Sequence, residues 1–375
     1  MQQKKVKYST EISSEFMQTA KARVRAYFKD NNITRYGNFQ MYLKTVVMMS
    51  LYLTPYILMM SGVFSNAWLI LGMYVIMGVG MAGVGFSVMH DANHGAYSKN
   101  KTLNKYLGLI INILGGNALN WKIQHNVLHH TYTNVDGLDE DIKTVNILRF
   151  SPHQNHYKIH KFQHLYAWFF YGLMTLMWVS TKDFSQLKRY RSKGLVKQFT
   201  SSQMGFLYFK IIMSKIVYLG LLVVLPMLVL PISIWLTLAF FFIMHFVAGL
   251  ILAMVFQPAH VMPTSDFPLP NKNGIIENNW AIHQMFTTTN FAPNNKLLSW
   301  FIGGLNYQIE HHLFPNICHI HYSKINKIVK KTALEYGLPY NSIKSFRAAL
   351  LTHARMLKKL GSKKDLGWQS ELRID

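Results

Sequence analysis

Two pairs of long apolar segments dominate the hydropathy pattern of this 375-residue chain. The first pair covers residues 45–62 and 67–89, and the second covers residues 206–230 and 232–256. A helix needs about 20 apolar residues to cross a bilayer, and the turn within each pair is too short for anything except an antiparallel hairpin. The pattern therefore predicts an all-α integral membrane protein with two transmembrane hairpins, or four spans. We expect no cleavable signal peptide before them.

Shorter segments before and between the spans are also helical in pattern. Residues 15–29 predict an amphipathic helix, capped by Ser13 or Ser14, which either lies on the membrane or packs as a soluble helix. Residues 106–119 are apolar but too short to cross a bilayer, so we expect a re-entrant or interfacial segment there, and residues 165–180 are another short apolar segment.

Beyond the spans, residues 323–336 and 342–360 predict two amphipathic helices, each with a serine cap and the second ended by Gly361. We expect both to pack on a cytoplasmic helical cap that holds the functional site. This divides one functional domain into an N-terminal amphipathic segment, a membrane domain and C-terminal cytoplasmic helices, at residues 1–43, 44–320 and 321–375.

The charge of the chain agrees with a membrane location. A formal net charge of +23 accompanies no basic recognition motif, so we exclude nucleic acid as a partner. In a membrane protein, excess Lys and Arg marks loops on the cytoplasmic side, and anionic lipid or acidic proteins are the expected partners. Within the third span, Lys210 and Lys215 are expected to extend their ammonium groups to the membrane interface.

Histidines supply the candidate chemistry, because Cys318 is the single cysteine and allows neither a disulfide nor a paired thiolate site. They occur in three motifs, HDANH, HNVLHH and QIEHH, and again where the fourth span ends in FQPAH. The candidate ligands are His90, His94, His125, His129, His130, His260, His311 and His312. Eight imidazoles are too many for one ion, and imidazole suits iron, copper, zinc and nickel alike.

The spacing within the second motif favours two metal ions. In an α-helix His125 and His129 share one face, whereas His130 lies about 100° further round. Other polar residues near the motifs are candidates for orienting an imidazole or for weaker ligation, namely Asp91, Asp139, His283 and Glu310. An isolated His245 in the middle of the fourth span is expected to have a hydrogen-bonded packing role.

The three motifs, their order and their relation to the hairpins resemble the integral-membrane fatty acid desaturases over nearly the whole chain. Gln308 stands where many members begin the third motif with histidine. That replacement resembles the front-end desaturases of the Δ5/Δ6 type, which act between an existing double bond and the carboxyl end.

The resemblance implies a non-haem centre of two iron ions bound by the eight histidines, with Gln308 as a ninth candidate. It implies O₂ and two electrons as co-substrates, and a fatty acyl substrate carried on CoA, acyl carrier protein or a lipid. Because the chain has no HPGG haem motif, the electrons are expected from an external ferredoxin or cytochrome b5. We expect the active site on the cytoplasmic face of a bacterial inner membrane rather than of the endoplasmic reticulum.

Other functions remain open at this level. A di-iron lipid hydroxylase or ketolase would have similar motifs, because these enzymes share the oxidant. A membrane metal transporter needs ligands at mid-depth, where the sequence offers His245 alone. A transmembrane b-type cytochrome or a carboxylate di-iron bundle would need facing histidine pairs or repeated Glu-x-x-His, and neither pattern occurs.

Overall fold

The structure is a computed structural model that describes residues 6–10 and 15–362, so the predicted caps Ser13 and Ser14 lie outside the described residues. The described chain forms two compact units. The histidine unit is made of the described residues within Met1–Gly37, Gln124–Ala167 and Val255–Asp375. The apolar unit is made of Asn38–Ile123 and Trp168–Met254.

Helices make up most of the described chain. In order they are α1 Glu15–Asp30, α2 Phe39–Met60, α3 Ala67–Val84, α4 His90–Asn93, α5 Lys101–Gly108, α6 Ile110–Ile113, α7 Ala118–Lys122, α8 His130–Tyr132, α9 Gln163–Gly172, α10 Met174–Met177, α11 Asp183–Ser192, α12 Ser201–Leu219, α13 Leu225–Val229, α14 Ile234–His260, α15 Trp280–Thr287, α16 Lys296–Phe301, α17 Gln308–Leu313, α18 Tyr322–Glu335 and α19 Phe346–Leu360. π-helical turns occur at Gly85–Met89, Ile123–His129, Trp178–Lys182 and Gly220–Val224, and 3-10 turns at Lys158–Phe162 and His319–His321. Two short parallel pairs join β1 Lys7–Tyr8 to β2 Ile275–Ile276, and β3 Asn290–Phe291 to β4 Ser342–Ile343.

Four helical stretches are long and apolar enough to cross a membrane, which confirms the predicted number of spans. They are Phe39–Met60, Ala67–Asn93, Ser201–Val229 and Ile234–His260. The first and third begin earlier than predicted because polar side chains cap them. Asn38 accepts a hydrogen bond from the Met41 amide at 3.3 Å, and Thr200 accepts one from the Gln203 amide at 3.3 Å.

The spans present large apolar side chains outward, as expected for helices in lipid. Val46 and Ile57 are each 62% exposed on the first span. Trp68 and Trp235 stand at the starts of the second and fourth spans and are 78% and 79% exposed. Tryptophan is enriched at the level of lipid headgroups, so these two residues mark the hairpin turns as one edge of the apolar band.

His245 has the hydrogen-bonded packing role that the sequence predicts. Its Nε2 lies 2.9 Å from the Tyr218 hydroxyl, and its Nδ1 lies 3.0 Å from Thr175 Oγ1. Because both ring nitrogens are used by neighbouring hydroxyls in the apolar unit, the imidazole joins three helices as a neutral group. With both nitrogens in hydrogen bonds to the protein, His245 is not arranged to bind a transported metal ion.

The prediction that Lys215 extends its ammonium group to the membrane interface is wrong, because its side chain is buried. Its ammonium forms an ion pair with Asp183 and donates to the carbonyls of Gly115 at 2.6 Å and Trp178 at 2.7 Å. Asn120 also donates to the Asp183 carbonyl at 2.8 Å. A charge survives burial only when it is paired and hydrogen-bonded, and here all three N–H donors of the ammonium are used.

The core of the histidine unit explains where α1 lies. Phe16, Met17, Ala20 and Val24 of α1 are buried in one apolar cluster with residues of α15, α17 and α18. Of the two alternatives for this amphipathic helix, the structure therefore shows packing within the protein and not apolar contact with a membrane.

Hydrogen bonds hold both ends of the described part of the histidine unit. β1 brings Tyr8 to the second histidine motif, where its hydroxyl donates to the Thr131 carbonyl. At the other end, Ser345 caps α19 by accepting from the Ala348 amide at 3.1 Å, and Gly361 follows the helix. The predicted serine cap of α18 is wrong, because that helix follows the 3-10 turn directly with His321 at its N-cap.

Candidate metal centre

The second histidine motif lies on a π-helical turn, Ile123–His129, that continues into α8. In a π-helix the backbone hydrogen bonds join residues five apart, so residues at that spacing come together along one face. His125 and His130 have this spacing, and their Nε2 atoms lie 3.3 Å apart. The turn is thus π-helical and not α-helical as predicted, but His125 and His129 do share a face, since their rings are stacked with centroids 5.3 Å apart.

His129 joins two histidines from distant parts of the chain. His260 from the end of α14 and His312 from α17 each offer a nitrogen, and these three ligand atoms lie within 4.8 Å of one another. The ring centroids of His129 and His260 are 4.7 Å apart, and those of His260 and His312 are also 4.7 Å apart. All three side chains are buried. We call this set the first triad.

Carboxylate contacts fix the orientation of His129. Its Nδ1 lies 3.0 and 3.1 Å from the two oxygens of Asp139, so Nδ1 donates to the carboxylate and Nε2 is the nitrogen left to bind a metal. Asp139 is itself held by the backbone amides of Asn134 and Asp141, each at 2.8 Å. A carboxylate behind a ligating imidazole fixes the tautomer and raises the basicity of the ligand.

The other two members of the first triad are oriented in the same way by neutral oxygens. Nδ1 of His260 donates to the Thr287 carbonyl at 3.3 Å, and Nδ1 of His312 donates to Gln284 Oε1 at 2.8 Å. Gln284 Oε1 also accepts from Thr133 Oγ1 at 2.9 Å. Nε2 of His260 is buried and has no hydrogen-bond partner within residues 6–10 and 15–362.

A second triad lies beside the first in the same unit. Nε2 of His130 lies 3.0 Å from Nε2 of His311 as well as 3.3 Å from that of His125. Nδ1 of His125 lies 3.4 Å from an Asp141 oxygen, and Nδ1 of His311 lies 3.2 Å from the Tyr322 hydroxyl. The rings of His130 and His312 are stacked with their centroids 4.4 Å apart, so the two triads are in direct contact.

Asp139 and Asp141, in the loop after the second motif, make this region favourable for positive charge. Burial opposes the charged form of His129, but Asp139 and Asp141 outweigh it and raise the pKa of His129 to about 9. Burial raises the pKa of Asp139, and for Asp141 burial is outweighed by His129 and His125, which leave its pKa below the usual range. A metal ion must displace a proton to bind such an imidazole, and the same carboxylates stabilise either cation.

The third motif places Gln308 and Glu310 on the same short helix as two histidines. Gln308 is buried, and its Nε2 has no hydrogen-bond partner in the described part of the chain. Glu310 accepts from Asn290 and from the Tyr340 hydroxyl, each at 2.8 Å. Burial raises the pKa of Glu310 to about 7. Glu310 therefore anchors α17 to β3 and to the segment before β4, which supports the histidines beside it.

The first motif lies in the apolar unit. His90 and His94 have ring centroids 4.8 Å apart, and both rings meet Trp121 edge-on at 5.6 and 5.9 Å. Nδ1 of His90 lies 3.8 Å from the Asp91 carboxylate. The π-helical turn Gly85–Met89 directly precedes this motif, as another contains the second motif. Metal binding by His90 and His94 stays a prediction.

His283 lies beside the centre as a support. Its Nε2 donates to the Thr133 carbonyl at 2.8 Å, and burial lowers its pKa to about 4. Because Nε2 is used in this way, the structure places His283 with neither triad. It holds the turn after the second motif, together with the Tyr8 ring that meets it edge-on.

The residues present suit a metal ion. Three buried imidazoles converge with their lone pairs inward because an oxygen acceptor holds each Nδ1 proton, and the buried Nε2 of His260 lacks any other partner in the described structure. Such a nitrogen set suits iron among the first-row metals. Sequence reasoning missed Gln284, Thr133 and Tyr322, since nothing in their local sequence marks them. The sequence signal for Asp141 is its place in an acidic cluster, Asp136, Asp139, Glu140 and Asp141, in an otherwise basic region.

Comparison with known proteins shows the family of this chain. The profile of the family described as fatty acid desaturase matches residues 66–344. The chain is 34% identical over 348 residues to an sn-1 linoleoyl-lipid 6-desaturase of Synechocystis sp., covering 92% of this chain and 95% of that protein. It is 35% identical over 359 residues to an acyl-lipid (8-3)-desaturase of Physcomitrium patens, covering 95% and 74%.

A further relative is a probable Delta(5) fatty acid desaturase C of Dictyostelium discoideum, 31% identical over 361 residues that cover 93% of this chain and 76% of that protein. The resemblance inferred from the three motifs is confirmed. A profile that spans most of the sequence and relatives above 30% identity show that this multi-pass membrane chain belongs to the fatty acid desaturase family and is an oxidoreductase.

Proposed function

We propose that this protein is an O₂-dependent front-end desaturase that introduces a cis double bond into the acyl chain of a membrane lipid. The observation that carries the proposal is the first triad, in which three buried imidazoles offer their lone pairs to one point. The second triad supports a centre of two iron ions, to which His90, His94 and Gln308 are further proposed ligands.

The relatives support the position of the new double bond and the carrier of the acyl chain. The proteins of Synechocystis sp. and Physcomitrium patens are named for action on a linoleoyl lipid and on an acyl lipid. The Dictyostelium discoideum relative is named for the Δ5 position. Gln308 at the start of the third motif favours the same front-end class. An acyl-lipid substrate also suits a chain with four spans.

The protein's own residues supply geometry and charge. Bound iron supplies the oxidising chemistry that breaks unactivated C–H bonds with O₂ and two electrons. Asp139, Thr287 and Gln284 hold the imidazole protons on Nδ1, so that Nε2 faces the metal in each ring of the first triad. Burial of these rings keeps water out of the ligand set.

Product analysis tests the reaction. The protein is expressed in a host that lacks polyunsaturated fatty acids, the culture is fed linoleate, and double bonds are located by mass spectrometry. We expect a product that has lost two hydrogens, with the new bond between the existing bonds and the carboxyl group, and no product with His260→Ala. A product that has gained oxygen would instead identify a hydroxylase or ketolase, and a new bond on the methyl side would refute the front-end class.

Labelling tests the proposed orientation, in which the metal centre faces the cytoplasm and an external protein supplies electrons. Ser65 is exposed in the first hairpin turn, and Ser323 is exposed at the start of α18. An impermeant thiol reagent added to intact cells should label Ser65→Cys and leave Ser323→Cys unlabelled. The native Cys318 is buried, so it should add no background labelling. The opposite pattern would place the centre on the outer face of a bacterial inner membrane.

A further inference from the structure

Helices α1 and α18 of the histidine unit run antiparallel and in contact. At one end the rings of Phe16 and Tyr336 have centroids 6.2 Å apart. At the other end the rings of Phe28 and His321 meet edge-on at 5.1 Å. The end of α1 therefore lies beside the start of α18.

Each of these helices carries a row of exposed basic residues on the side away from the core. The rows follow the i, i+3 and i, i+4 spacing that places side chains on one helix face. They are Lys21, Arg25 and Lys29 on α1, and Lys324, Lys327 and Lys331 on α18. None of the six is in an ion pair with a carboxylate of the described chain, whereas Arg23 pairs with Glu335 and ties the two helices together. We call the six residues the basic face.

One end of the basic face adjoins the metal centre. Tyr322 is the first residue of α18 and is 1% exposed, and its hydroxyl lies 3.2 Å from Nδ1 of His311. Lys324 follows two positions later, and Lys29 lies at the neighbouring end of α1. A molecule bound to the basic face is thus separated from a histidine of the second triad by the first turn of α18.

The chemistry of this face favours a protein over a membrane. The apolar sides of both helices are buried in the core, so neither can insert into lipid as an amphipathic helix does. What remains outside is mainly basic, namely the six residues of the basic face and Lys330, against exposed carboxylates that include Asp30 and Glu335, of which Glu335 is paired with Arg23. Basic patches of this kind steer partners of opposite charge into position.

We propose that the basic face is the docking surface for an acidic one-electron carrier protein, with Tyr322 and His311 linking the start of α18 to the centre. This rests on the proposed function, which consumes two electrons, two protons and O₂ for each double bond and releases two waters. Two successive dockings would supply the two electrons, and each would leave one carrier oxidised.

Binding of a plant-type [2Fe–2S] ferredoxin to the enzyme in nanodiscs tests the proposal. The variant Lys324→Glu/Lys327→Glu/Lys331→Glu reverses one row. The matched control, Arg347→Glu/Arg355→Glu/Lys358→Glu, makes the same charge change on exposed positions of α19. We expect the α18 variant to weaken ferredoxin binding by about tenfold or more at low salt, and to flatten its salt dependence, while the control changes affinity less than about twofold.

Equal affinity in the α18 variant and the wild type would overturn the proposal, and so would equal losses in both triple variants. A third contrary outcome is that the α18 variant alone loses phosphatidylglycerol bound during purification while ferredoxin binding is unchanged, which would make the face a lipid site. Binding is measured without turnover. An inactive wild-type enzyme that binds ferredoxin through this face would therefore count against the proposed reaction and leave the docking surface standing.

Discussion

Replacing Asp139 by asparagine tests how the first triad is held. The carboxylate accepts three hydrogen bonds, from His129 Nδ1 and from the amides of Asn134 and Asp141. An asparagine of the same shape has one oxygen and one NH₂ group, so in either orientation its NH₂ meets an N–H donor. Loss of such a partner behind a ligating histidine typically lowers metal affinity about 10- to 100-fold. This corresponds to about 1.4–2.7 kcal/mol of binding free energy.

Iron competition against a chelator measures the effect in purified protein, with metal content read by mass spectrometry. Asp136→Asn is the control, since it makes the same chemical change in the same loop three positions earlier. We expect Asp139→Asn to release iron at a chelator concentration at least about tenfold lower than the wild type requires. We expect Asp136→Asn to match the wild type. An Asp139→Asn protein with wild-type iron affinity would refute the role given to this carboxylate.

Three further predictions concern other parts of the chain. Gln308→His should lower turnover while iron stays bound, and wild-type activity in both Gln308→His and Gln308→Ala would remove this residue from the ligand set. Burial lowers the pKa of His353 to about 4, so as the pH falls the imidazole is protonated in the unfolded chain before it is protonated in the folded one. The melting temperature should therefore fall between about pH 6.5 and pH 4. His353→Gln should make the melting temperature depend less on pH over this range. Lys215→Met should cost about 3–5 kcal/mol by leaving Asp183 buried without its cation, and Lys215→Met/Asp183→Asn should recover part of the loss in the same melting assay.

The long-range pattern of this fold could be predicted because it depends on composition over many residues. Four apolar segments of sufficient length predicted four spans, and the structure contains them. Their boundaries were less accurate, because a single capping residue such as Asn38 or Thr200 extends a helix by a turn or more. Hydropathy carries no information about which polar side chain will cap a helix.

Of the candidate site, the sequence predicted histidines that the structure brings together, and it did not predict how they are grouped. Periodicity in a single sequence assumes an α-helix, whereas the π-helical turn brings His130 as well as His129 to His125. The sequence also did not show that His260 and His312 lie with His129. Lys215 was misjudged for a related reason. Its partner Asp183 is on another helix, and a sequence read locally cannot show that a charge will find its counterion there.

The wide separation of the ligands along the chain has a consequence for how this protein is made. His130 and His311 are 181 positions apart, so a ribosome must finish all four spans before the second triad has its members. A newly made chain therefore passes through a stage with its helices built and its imidazoles unassembled. A metal that binds only the folded state then stabilises it, by about 2.7 kcal/mol at a hundredfold excess over the dissociation constant. Iron starvation during synthesis should thus reduce the amount of mature protein in the membrane, beyond any effect on the activity of molecules already assembled.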